Sequence, residues 1–126
     1  MIGYVTIGAS DVEAALPFYD AVFGAIGGER KSFEGGWAFY GAKGGEGNVG
    51  ICKPFDGQPA RAGNGIMVAL AAPSQDAVRA AHAGGLANGG ADEGAPGFRP
   101  PDGKAFYGAY LRDPTGNKLC VFHMSA

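Results

Sequence analysis

Apolar and polar positions alternate over residues 2–7, the period of a half-buried strand. Ser10-Asp11-Val12-Glu13 then reads as a capping box, with Ser10 at the N-cap and Glu13 reaching back to it. Val12, Ala15, Phe18, Tyr19 and Val22 follow at helical spacing, with Glu13, Pro17 and Asp20 on the opposite side. This predicts an amphipathic helix that Pro17 kinks or delays and that Gly24, Gly27 and Gly28 end. Three short strands over 25–33, 36–41 and 48–53 fit between the glycine turns that come next. The order then recurs: a strand over 65–70, Ser74 as N-cap, and a helix to about Asn88 with Val78, Ala81, His82 and Leu86 inward. After Gly89-Gly90 come a strand, an exposed loop over 94–104 carrying Pro96, Pro100 and Pro101, and a final hairpin. Its strands, 106–112 and 118–122, flank Asp113-Pro114-Thr115-Gly116-Asn117, a turn sequence whose Gly and Asn accept positive φ.

The recurrence is a duplication. At an offset of 63, half of the 126 residues, Tyr4-Val5-Thr6-Ile7-Gly8-Ala9 falls on Met67-Val68-Ala69-Leu70-Ala71-Ala72, and the helices after them superpose. The fold class predicted is α+β: two βαβββ modules, residues 1–62 and 63–126, forming a cupped mixed sheet with helices on its outer face. Each module is too small to cover its own sheet, so both belong to one domain. Composition narrows the function. With 46% apolar and 17% charged residues and a net charge of −2, the chain is neither disordered nor built for nucleic acid. Its longest apolar run, seven residues over 66–72, is far short of the roughly 20 that span a bilayer, so no membrane partner is expected. No basic region followed by a long apolar one opens the sequence, which points to a cytoplasmic protein. Cys52 and Cys120 lack CxxC spacing and suit free thiols. The 24 glycines exclude a helical bundle and carry no functional meaning by themselves.

The two modules, the opening YVTIGASDVEAALPFYDAVFG and the terminal YLRDPTGNKLCVF together resemble the vicinal oxygen chelate superfamily of glyoxalase I, bleomycin-resistance proteins and extradiol dioxygenases. The resemblance covers nearly the whole chain, and its most specific part is the Asp-Pro-x-Gly-Asn turn before the last strand. It implies half-cup sheets paired into a cleft, frequent dimers, and a divalent metal held by His and Glu. The ligand positions carried over are Tyr4, Met67, Cys120 and, by pseudo-symmetry with Cys120, Cys52. Tyr, Met and two Cys do not make a hard oxygen-and-imidazole site, so no metal and no cofactor is expected. His82, on a buried helix face, reads as a hydrogen-bonded core residue, and His123 as exposed or at a subunit contact.

Strand alternation assigns the cup lining: Tyr4, Thr6, Tyr40, Cys52, Met67, Tyr110 and Cys120, with Tyr40 set opposite Tyr110 by aligning WAFYG with KAFYGAYLR. This aromatic, sulfur-rich, uncharged lining either fills space or stacks a flat, partly apolar ligand. Arg99 and Lys104 on the long loop are either solvated charges or a clamp on an acidic group. Three functions compete: a small-molecule binder without metal chemistry, a metal-dependent lyase or dioxygenase with another ligand set, and a ligand-free structural or regulatory dimer. A homodimer is expected.

Overall fold

The computed structural model describes residues 1–125. β1 (Val5–Gly8), α1 (Val12–Ala25), β2 (Gly28–Glu34), β3 (Trp37–Ala42) and β4 (Val49–Cys52) form the first module. β5 (Val68–Ala71), α2 (Gln75–Ala87), β6 (Ala91–Phe98), β7 (Phe106–Arg112) and β8 (Lys118–Met124) form the second. Each closes its own four-stranded mixed sheet, in the orders β1-β4-β3-β2 and β5-β8-β7-β6. In both, the first and last strands pair in parallel and the others antiparallel. The parallel pair joins strands that the helix and two antiparallel strands separate in the chain.

Helix entry differs from the capping-box reading. Asp11 is the N-cap of α1, its side chain accepting from the Ala14 N–H, and the helix runs without delay through Pro17. Ser10 Oγ instead accepts from the Ala60 N–H at 2.8 Å, tying the linker between modules to the first strand. Ser74 caps α2 as predicted. Leu86, predicted to face inward, is 39% exposed. Residues 94–98, assigned to the long loop, continue β6, whose ladder with β7 is broken by two register shifts.

The inner faces of both sheets and both helices share one core that includes Ile7, Phe18, Val22, Ile51, Leu111 and Val121. α1 buries Val12, Ala15, Leu16, Phe18, Tyr19, Val22 and Phe23, a stripe wide enough for two partners. Tyr19 and Phe23 pack on Tyr40 of the first sheet, while Phe18 and Val22 reach Gly85 of α2. Gly85 lets them approach closely: a Cβ would lie 3.1 Å from both Leu111 and Phe18, so those side chains would have to give way. The helices therefore meet at the centre of the molecule, and each sheet lays one face on them. The opposite faces of the two sheets look away from each other.

The modules are also locked by polar contacts. Asp113, buried in the last hairpin turn, accepts from the backbone N–H groups of Thr115, Gly116 and Asn117 and, at 2.5 Å, from the Tyr19 hydroxyl of α1. Asn117 in the same turn donates to the Gly8 carbonyl at 2.9 Å. The Asp-Pro-Thr-Gly-Asn sequence is thus both a self-capped turn and the clasp between modules.

Candidate functional site: two outward sheet faces

Alternation along β1, β3 and β4 places Tyr4, Thr6, Trp37, Phe39, Gly50 and Cys52 on the outward face of the first sheet. Tyr4 packs edge-on against Phe39 at 5.8 Å, and Trp37 stacks on Phe39 at 5.6 Å. The result is an aromatic wall whose ends remain open, Tyr4 being 57% and Trp37 37% exposed. Gly50 lets the rings lie flat, since a Cβ there would meet Phe39 at 3.0 Å.

On the second sheet the outward set is Met67, Ala69, Tyr110, Cys120, Phe106 and Phe122. Phe106 and Phe122 stack at 5.3 Å, and Met67 is 43% exposed. Tyr110 is the ladder partner of Cys120 and has the guanidinium of Arg99 and the ammonium of Lys118 near its ring. Burial pushes the Cys120 thiol up, opposed by Tyr110, Arg99 and Lys118 beside it. Burial likewise raises Tyr110, and Cys120 adds to it. Cys52 is raised by burial alone, so neither cysteine is an activated nucleophile.

Six of the seven predicted lining residues stand on these two faces: Tyr4, Thr6 and Cys52 on one, Met67, Tyr110 and Cys120 on the other. Tyr40 does not. It is fully buried on the helix side, stacked on Phe23 at 4.9 Å and donating to Asp20 at 2.7 Å. Burial and that hydrogen bond hold its hydroxyl well above the usual phenol range. In the ladders, Phe39 opposite Gly50 corresponds to Tyr110 opposite Cys120, so pairing Tyr40 with Tyr110 slips by one residue and reverses the face. The same ladders match Cys120 with Gly50 and leave Cys52 in register with Phe122. Trp37 and Phe39, missed in the sequence, alternate with Ala38 and Tyr40, and that alternation was the signal for them.

The donors do not fit the metal that the family resemblance implies. Tyr4 and Met67 lie on faces that diverge, and Cys120 is a raised thiol. Both imidazoles are engaged: His82 Nε2 with Asp92 at 2.9 Å, His123 Nδ1 with the Ala72 carbonyl at 3.0 Å. Among the described residues no three His, Cys, Asp or Glu side chains gather at one point. A hollow of about 480 Å³ lies at the seam between β1 and β5, lined by Val5, Phe23, Ile26, Val49 and Leu70 among others and touching the second outward face at Ala69. A second hollow, about 470 Å³, opens at the edge of the second outward face, where Met67 and Lys118 meet Arg112 and residues 62–66. No helix among the described residues is long and apolar enough to cross a membrane.

Comparison with known proteins supplies a context for this geometry. Residues 1–121 match the model of the Glyoxalase/Bleomycin resistance protein/Dioxygenase superfamily. A glyoxalase/bleomycin resistance protein from Albidiferax ferrireducens T118 is 41% identical, with 97% of each chain covered and a TM-score of 0.85. A lactoylglutathione lyase from Agrobacterium tumefaciens is 26% identical over 98% of this chain and 92% of its own, with a TM-score of 0.64. The antibiotic-binding protein TnmS3 from Streptomyces sp. CB03234 is 21% identical over 99% and 96%, with a TM-score of 0.66. Among curated proteins none matches the chain.

Proposed function

The chain belongs to the Glyoxalase/Bleomycin resistance protein/Dioxygenase superfamily, and from that premise we propose that it binds a small, partly apolar molecule without metal chemistry, in a cup shared by two copies of the chain. The observation that carries this reading is the pair of outward faces. Each has its aromatic and thioether groups on the side away from the helices, and the helix packing within one chain turns the two faces apart. A second copy related by a two-fold axis sets the first sheet of one chain opposite the second sheet of the other, twice over, and covers all four walls. Tyr4 and Trp37 on the first face and Met67 on the second are exposed apolar groups that such cover would hide from solvent. Flat ligands suit a slot between Tyr4, Phe39 and Trp37 on one side and Tyr110 and Met67 on the other, where rings stack and hydroxyls orient. The fold of the antibiotic-binding neighbour is compatible with such a sequestering role.

Sedimentation at micromolar concentration tests the assembly. A species of twice the 12.7 kDa chain mass is expected, and Trp37→Ser shifts it toward monomer. Trp37 is the sole tryptophan, so its emission reports both dimer formation and ligand entry. A monomer in which no small aromatic compound changes that emission or the melting temperature would overturn the reading. So would one divalent ion per chain whose chelation abolishes an activity.

A further inference from the structure

The geometry points to an anion subsite within that cup: Arg99 and Lys118, set around Tyr110, take a carboxylate, and the ligand class is a planar aromatic acid. The inference rests on the binding function proposed above and adds charge to it. Arg99 Cζ lies 5.6 Å and Lys118 Nζ 5.5 Å from the centre of the Tyr110 ring, and both side chains are half-buried. Among the described residues neither pairs with a carboxylate. Glu93 is near enough to sense Lys118, but its carboxylate is taken by Arg112 at 3.0 Å. Two half-buried cations beside one ring, neither neutralised by a carboxylate, favour an anion brought to that ring.

Arg99 is also held in place. Its guanidinium donates to the Ala95 carbonyl at 2.7 Å and the Phe98 carbonyl at 3.3 Å, which folds it back over its own strand. Gly94 and Gly97 make room: a Cβ on Gly97 would stand 3.0 Å from the guanidinium, and one on Gly94 2.9 Å from the Tyr110 ring and 3.4 Å from Arg99. Two carbonyls occupy part of the donor fork and leave the remaining N–H groups for an external acceptor. The stacked Phe106 and Phe122 rings on the same face give the ligand's ring an apolar floor. A carboxylate joined to a flat ring satisfies both halves of this surface.

The test compares 1-naphthoate with its neutral isostere 1-naphthamide, by calorimetric titration of the whole protein. The acid is expected to bind at least roughly tenfold tighter, the worth of one hydrogen bond to a charged group. Arg99→Gln and Lys118→Gln should each remove most of that preference while leaving the amide unchanged, and Lys43→Gln should change neither. Should Arg99→Gln melt early, Lys118→Gln and a rise in salt, which weakens only the acid, decide independently. Equal binding of acid and amide overturns the anion subsite and leaves the binding function standing. Failure of both at about 1 mM overturns the two together.

Discussion

Tyr19 and His82 occupy the same place in the two helices, 63 residues apart, and both are buried and bonded to an aspartate. Their partners differ. Tyr19 reaches out of its module to Asp113, which is itself buried in the turn of the other half. His82 stays within its module and holds Asp92, an exposed residue of the adjacent strand β6. A duplicated backbone therefore carries two devices at one position: a clasp between halves and a pin within one half. The outward faces diverge in the same manner, the first carrying Tyr4, Trp37 and Phe39 and the second aromatic rings with two cations beside Tyr110. Duplication fixed the topology and left the side chains free to specialise.

The sharpest way to break the comparison is to remove a half. Residues 1–62 lose α2, Leu111 and Asp113, the groups that cover Phe18, Tyr19 and Val22. The fragment is expected to show no cooperative thermal transition, since a sheet and one helix of this size leave too much apolar surface exposed. A monomeric fragment with a sharp melt would show the halves to be independent. Next in size is the clasp. Asp113→Ala strands the Tyr19 hydroxyl and three turn amides, and urea denaturation should show a loss of about 3 kcal/mol or more. Tyr19→Phe removes one of Asp113's partners and should cost about 1–2 kcal/mol. The double mutant should fall short of the sum, because both changes remove the same bond.

How much of this was legible in the sequence depended on whether the signal was local. The two modules were, because the strand and helix patterns repeat at half the chain length, and each needs only its own periodicity. His82 was too, since a lone histidine on a buried helix stripe needs a partner and finds one in Asp92. The separation into two outward faces was not, because it depends on what α1 packs against. Its buried stripe, seven of fourteen residues, was the available clue that a second helix lay beside it. Tyr40 was misplaced for a different reason. Its face follows from its own strand, where it alternates with Phe39; the repeated Ala-Phe-Tyr-Gly at 38–41 and 105–108 sets it on Tyr107, which is buried on the helix side as well, whereas the pairing with Tyr110 is one residue out of the ladder. Repeats of sequence and of ladder register need not coincide, and a slip of one residue reverses every side chain. Ser10 lost the cap of α1 to Asp11 because the linker amide at Ala60 competes for its hydroxyl.

A smaller effect separates the thiols from the reactive cysteines of enzymes. Burial raises both, so alkylation of Cys52 and Cys120 should be slow at neutral pH, with half-points above the ordinary value of about 8.5. Cys120 feels Arg99 and Lys118 as well, so Arg99→Gln should slow its reaction further and leave Cys52 unchanged. Rapid modification near pH 6 would mark a thiolate that these surroundings do not support.

The smallest effect tests the pin against the clasp through pH. Asp92 is held below the usual carboxylate range, first by its hydrogen bond with His82 and then by the Gly94 N–H. A carboxylate depressed on folding contributes stability that is present above its unfolded value of about 3.9 and is lost as pH falls through its folded value. The melting temperature should accordingly drop on acidification below about pH 4, and Asp92→Asn should remove that part of the slope. Because Asp92 is exposed, solvent screens the interaction and the change should be small beside that of Asp113→Ala. His82→Gln sharpens the test: it keeps a donor toward Asp92, the first cause of the depression, so it should retain most of the acid limb that Asp92→Asn removes. An acid limb as steep in Asp92→Asn as in the parent would place the titrating group elsewhere and leave the pin a matter of packing alone.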